Sequence, residues 1–105
     1  MKTMLVALIA VFAAANAFAY TDYGKTVDQV GVDHNNWLYF SVKEGFSVTC
    51  LAGRIYGDIS TQFGRAAFAQ LLAAKNAGRQ LSRIDYTQTG GVGSQCHLTL
   101  VEVQD

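Results

Sequence analysis

Cys50 and Cys96 are the only cysteines of the chain, and whether they join decides which folds are open to it. The N-terminus answers for the compartment. Lys2 is followed by an apolar run from Met4 to Ala15 and then by Asn16-Ala17-Phe18-Ala19, which supplies the small residues a signal peptidase accepts. This pattern reads as a secretory signal peptide over residues 1–19, cleaved before Tyr20. The apolar run is shorter than the roughly 20 residues a spanning helix needs, so membrane insertion is not expected. What is left, residues 20–105, is short enough for one domain, secreted or periplasmic. In an oxidising compartment two cysteines admit a single intramolecular pairing. Closing the loop between residues 50 and 96 is worth about 4 kcal/mol in the chain-entropy model. A domain this small buries a limited share of its surface, so such a staple is a large part of its stability.

The other uses of cysteine find less support in the sequence. A nucleophilic cysteine helped by His34 or His97 would need a catalytic signature, and neither cysteine has one around it. Neither short Cys/His ligand spacing of a metal site occurs. No catalytic residues, metal or cofactor are therefore expected. Asp58, Asp85 and Glu102 are scattered along the chain, and nothing in the sequence pairs two of them as acid and base. Loss of Lys2 turns eight basic and eight acidic residues into seven against eight. No cluster of Lys and Arg runs along the sequence, so nucleic acid is not an expected partner, and no polybasic stretch marks a membrane surface.

Proline is absent, which leaves period and glycine as the guides to local structure. Val27 to Val32 carries the short alternation of a strand. "NWLYFSV", residues 36–42, is a stronger one, with Leu38, Phe40 and Val42 on one face and Trp37, Tyr39 and Ser41 on the other. Glu44-Gly45 turns the chain, and "FSVTCLAGRIYG" reads as a third strand with a bulge at Gly53.

A helix follows, capped by Ser60 or Thr61 and ended by Gly78 at C′. Phe68, Leu71 and Leu72 fall in one sector and are its expected core face. The opposite side carries Arg65, Ala66, Ala69, Ala73, Asn76 and Ala77, small and nearly uncharged where a solvated helix usually shows Lys and Glu. High helix propensity explains alanine there. Close approach of a second helix explains it too, and makes Ala66, Ala69, Ala73 and Ala77 the expected face for an oligomer.

Beyond the helix, Ile84 and Tyr86 alternate against Arg83 and Asp85. "TGGVGS" turns the chain, and a last strand runs from Cys96 to Val103. Leu98 and Leu100 lie on one side of it and Val101 and Val103 on the other, as in a strand covered on both faces. Three strands, a helix and two strands give a mainly β (α+β) fold. The order is that of a small five-stranded OB-like barrel with its helix between strands 3 and 4.

"WLYFSV", a cysteine in the next strand, "FGRAAFAQLLAAKNAGRQLSRIDY" and a second cysteine heading the closing strand follow one another in a pattern that resembles the receptor-binding B subunits of AB5 toxins. The similarity is to the subtilase-cytotoxin and pertussis-like group and extends over roughly Gly24 to Val103. It implies an OB fold, a homo-pentamer whose helices line a central channel, an A-type partner subunit and recognition of sialylated glycans. In that family the glycan contact rests on a serine or threonine of an early strand, and Thr26 sits in the comparable place. From the residues themselves, Trp37, Tyr39 and Ser41 are the candidate contact, since exposed aromatic rings stack on sugars and anchor proteins equally well. The alternative is that the N-terminal segment covers this face. The expected function is a secreted, non-catalytic binding module for a glycan or glycoprotein receptor, against a small secreted assembly protein with no toxin role.

Overall fold

A computed structural model describes residues 17–105 of the chain, so the expected signal segment lies outside the described residues except for Ala17 to Ala19. Those three residues begin a strand. The elements are β1 (Ala17–Lys25), β2 (Val27–Val32), β3 (Trp37–Val42), β4 (Ile55–Asp58), α1 (Gln62–Ala77), β5 (Leu81–Thr89) and β6 (Cys96–Val103). They form one six-stranded sheet in the order β1-β5-β6-β4-β3-β2. All neighbours are antiparallel except β4 and β6, which run parallel.

The mainly β fold with one helix is as the sequence predicts, and the five-stranded barrel is corrected. Among the described residues there are six strands, the sheet is not closed into a barrel, and α1 lies between β4 and β5. The reason lies at the edges. β1 pairs only with β5 and β2 only with β3, so the ladder has two ends. Those ends are joined covalently through the single residue Thr26. β1 escapes a sequence reading because its one deeply buried side chain is an acid, Asp22, which breaks the alternation that marks a strand.

The third expected strand is also corrected, since only Ile55–Asp58 of it pairs. Residues 46–53 run through bends and a short 3-10 turn because other groups take their hydrogen bonds. The Ser47 N–H donates to Asp22 at 2.9 Å. Gln88 donates to the Thr49 carbonyl at 2.8 Å, and the Leu51 N–H donates to the Ser94 carbonyl at 3.0 Å. Ala52 and Gly53, both at positive φ, then turn the chain into β4. Phe46 and Val48 still reach the core from this segment. Phe46 packs edge-on to Phe40, with ring centroids 5.8 Å apart, and against Tyr86.

α1 begins where expected: Thr61 is the N-cap and its hydroxyl accepts the Gly64 N–H at 2.9 Å. Gly78, at φ 68°, ends it, and the Gly78 and Arg79 N–H groups close on the Lys75 and Ala74 carbonyls. The core face is corrected. Gly64, Ala67, Leu71 and Ala74 are the buried residues, Phe68 is half-buried and Leu72 is exposed. Small residues let the helix sit close on the sheet, where it packs mainly against β6 and β2.

The two-sided apolar character of β6 has a different cause from the expected covering. Tyr86 pairs with Leu98 but Asp85 with Leu100, so β6 carries one extra residue at Thr99. This β-bulge switches the parity of the strand. Cys96 and Leu98 face the core before it, and Val101 and Val103 pack toward the core after it. The disulfide is present, linking Cys50 to Cys96 with Cα atoms 5.5 Å apart.

Candidate functional site

The alternation of β3 puts Leu38, Phe40 and Val42 in the core and leaves Trp37, Tyr39 and Ser41 half-exposed on the other face, as predicted. Pairing then adds residues that are remote in sequence. Tyr39 is opposite Gly31 on one side and Tyr56 on the other, Tyr56 is opposite His97, and His97 is opposite Thr87. A single row thus crosses five strands and carries three rings side by side. With strands about 4.8 Å apart, Tyr39 to His97 spans roughly 10 Å. Trp37 leans into the row, its ring centroid 5.8 Å from that of His97, and Tyr39 and Tyr56 lie 6.2 Å apart.

Two features set the angle of Tyr39. The Arg54 guanidinium lies over its ring, 4.4 Å from the centroid, a cation–π contact. Gly31 lies beneath it: a Cβ there would come within 2.6 Å of the Tyr39 hydroxyl oxygen and 2.7 Å of Cζ. The absent side chain is what lets the ring lie flat across β2. Trp37, for its part, is paired with Asp58. The Ser60 hydroxyl and N–H both donate to the Asp58 carboxylate, which lowers its pKa from the usual value.

The result is a half-exposed aromatic strip with one cation and one anion at its margins. β1 pairs with β5, not with β3. Ser41 extends the strip toward Gln29, its partner on β2. The sequence singles out Trp37, Tyr39 and Ser41, while Arg54, Tyr56 and His97 are missed because β4 and β6 bring them in from long range. The signal for Tyr56 was its place two residues from Arg54, with buried Ile55 between them in "RIYG".

Thr26 is elsewhere, at the joint between β1 and β2. Its hydroxyl donates to Glu44 at 2.6 Å and accepts from Gln80 at 3.3 Å, while its N–H donates to the same carboxylate. These bonds hold the Glu44 carboxyl below its ordinary pKa. They occupy the hydroxyl in bracing the joint. Ala66, Ala69, Ala73 and Ala77 are all exposed on α1, and Ala73 and Ala77 line a shallow groove with Val103 and Gln104.

The three acids weighed as catalytic groups have separate partners. Asp58 holds Ser60; Asp85 holds Arg83, at 3.0 Å, and Thr21; Glu102 holds Ser82. The Arg83 guanidinium keeps the Asp85 carboxyl below its usual pKa. Asp22, the buried acid, accepts from the Ser47 N–H, the Ser47 hydroxyl and the Tyr86 hydroxyl, which pins β1, the 43–50 segment and β5 together. Burial pushes the Tyr86 phenol above its ordinary pKa. Among the described residues no group of three or more His, Cys, Asp or Glu could hold a metal ion, and no helix is long and apolar enough to cross a membrane.

The class that these features define is a disulfide-stapled, mainly β domain with one helix and an aromatic strip on one sheet face. Compared with known proteins, the chain matches no family model, no curated protein and no solved structure.

Proposed function

We propose that the protein is an exported, non-catalytic binding module whose outer sheet face takes a saccharide. The observation that carries this reading is the row Tyr39, Tyr56 and His97 with Trp37 leaning into it, half-exposed across three adjacent strands. Aromatic rings in such a row offer flat apolar surface to the C–H faces of sugar rings, and their polar tips, with Arg54 and Asp58, reach hydroxyls. Its length of roughly 10 Å suits two or three linked rings better than one.

The fold reading behind it is an OB-type path. Taking β1, Thr26 and β2 as one kinked strand gives five strands, with the helix between the third and fourth and both ends of the strand order on that same strand. The strand path is that of an OB fold without its closure, and in OB folds the second and third strands form the face that binds oligosaccharides and oligonucleotides. In this count they are β3 and β4, which bear Trp37, Tyr39 and Tyr56. The AB5 B-subunit reading, with its glycan receptor and A-type subunit, is the specific version of this proposal.

A glycan array followed by titration of Trp37 fluorescence tests it. Binding that shifts the Trp37 emission and is lost in Tyr39→Ala and Tyr56→Ala supports the reading. A glycan bound equally well by both variants would move the site off this face.

Assembly is the second reading, favoured by the exposure of Ala66, Ala69, Ala73 and Ala77 together with Phe63 and Leu72 on the same helix. Light scattering tests it: a pentameric mass supports a ring built through α1, and a monomer removes it.

A further inference from the structure

The sequence has no run of basic residues, yet folding gathers cations in one place. Lys43 follows the end of β3, Lys75 lies in the last turn of α1, and Arg79 follows its cap. All three line a cleft of about 220 Å³ at the joint between β1 and β2. Asp28 is the only acid among its lining residues. Lys75 donates to the Asp28 backbone carbonyl at 2.8 Å. Among the described residues neither Lys43 nor Arg79 pairs with a carboxylate, since the one salt bridge there is Arg83–Asp85.

The negative end of α1 accounts for a cation at this place, and Lys75 in the last turn already answers it. Its terminal carbonyls are capped by the Gly78 and Arg79 N–H groups. Lys43 arrives from a different element and has no such reason to be there. Glu44, next to it, has turned its carboxylate to the Thr26 N–H and hydroxyl. Arg79 also borders the groove that contains Asp105, without forming an ion pair to it.

We infer that this cleft is an anion subsite, separate from the aromatic strip, that takes one sulfate or phosphate group on Arg79 and Lys43. A planar guanidinium grips two oxygens of such a group and an ammonium a third. The volume accommodates a single oxyanion. The group belongs to a free ion or to an ester on a larger ligand, and the chemistry of the cleft is the same for both.

The test is a calorimetric titration of the mature protein at fixed total ionic strength. Its arms are inorganic sulfate, inorganic phosphate and a sulfated oligosaccharide, with chloride as the reference. Saturable binding of at least one oxyanion is expected, weakened about tenfold or more by Arg79→Gln and by Lys43→Gln, as loss of a charge-assisted bond requires. Arg83→Gln, whose guanidinium is held by Asp85 and does not line the cleft, should leave it unchanged. A sulfated oligosaccharide that binds more tightly than sulfate identifies an ester as the source, and equal affinity identifies the free ion. Titrations no different from chloride, or binding that survives Arg79→Gln combined with Lys43→Gln, would overturn the inference. None of these residues lies on the aromatic strip, so loss of neutral glycan binding in Tyr39→Ala leaves this result unaffected.

Discussion

Gly64 lies in the first turn of α1 and is buried, so Gly64→Ala should by helix propensity alone stabilise the protein by about 1 kcal/mol. The structure reverses the sign. A Cβ on Gly64 would lie 1.8 Å from the Asp58 carbonyl oxygen, 2.6 Å from its carbon and 3.0 Å from the Thr61 hydroxyl. Ordinary contacts are near 3.5 Å, so backbone must move by more than an ångström. The same Asp58 carbonyl accepts the Thr61 N–H at 3.2 Å and the Thr61 hydroxyl at 2.7 Å. Weakening those two bonds costs about 1 kcal/mol each, and the overpacking itself costs about 1–3 kcal/mol. After the propensity gain is subtracted, a net loss of about 2–4 kcal/mol remains. Urea unfolding followed by far-ultraviolet circular dichroism measures it as a lower midpoint at unchanged slope. Because Asp58 pairs with Trp37, the native fluorescence of Trp37 should change as well. A Gly64→Ala protein as stable as the parent, or more so, would refute the reasoning and show that the turn before α1 yields at no cost.

Gly31→Ala should act on the aromatic strip and spare the fold, because the added methyl meets the movable end of Tyr39 rather than backbone; unfolding midpoints within about 1 kcal/mol of the parent with weakened glycan binding are expected, and unchanged binding would mean that the angle of Tyr39 is unimportant. Cys96→Ser should lower stability by about 4 kcal/mol, and mass spectrometry of the unreduced parent should find no free thiol; two reactive thiols would contradict the pairing. Ala73→Glu should dissociate an assembly made through α1, since burying an unpaired charge costs several kcal/mol, about 2–5, and an unchanged mass by light scattering would exclude packing at that face. Glu44, Asp58 and Asp85 all have lowered pKa values in the folded protein, so their contribution is complete above the unfolded carboxylate range near about pH 4 and fades as pH falls through the folded values. Urea midpoints should therefore drop on acidification below that range, and Glu44→Gln should flatten the drop; an identical profile in the variant would remove Glu44 from the explanation.

Much of this was legible where one segment carries its own pattern. Leu38, Phe40 and Val42 alternate with Trp37, Tyr39 and Ser41 without interruption, and Thr61 and Gly78 are conventional helix boundaries. What sequence reasoning missed depends on contacts between distant segments. Asp22 lies at a core position of β1 because Ser47 and Tyr86 satisfy it there, which no local pattern reveals. Ala67 and Ala74 displaced Leu72 from the core face because the helix sits close enough to the sheet for small residues to fill the space. The bulge at Thr99 made one apolar face of β6 look like two. At the site, Trp37 and Tyr39 were visible in one strand, whereas Tyr56 and His97 joined them through the β3–β4 and β4–β6 pairings.

The disulfide and the loop between β5 and β6 together decide what a protease can do to this molecule. Val92, at 89% exposed, tips a loop in which Gly90, Gly91 and Gly93 all have positive φ, the sort of segment where nicking concentrates. A cut between Gly91 and Val92 leaves Cys50 in one piece and Cys96 in the other, so the bond converts the product into a two-chain protein with β6 still seated between β4 and β5. His97 stays in its row. Reduction after such a cut removes the only covalent hold on β6, the strand that separates the two halves of the sheet. Loss of that strand therefore requires two events in sequence, a cleavage and a reduction, and neither one alone releases it.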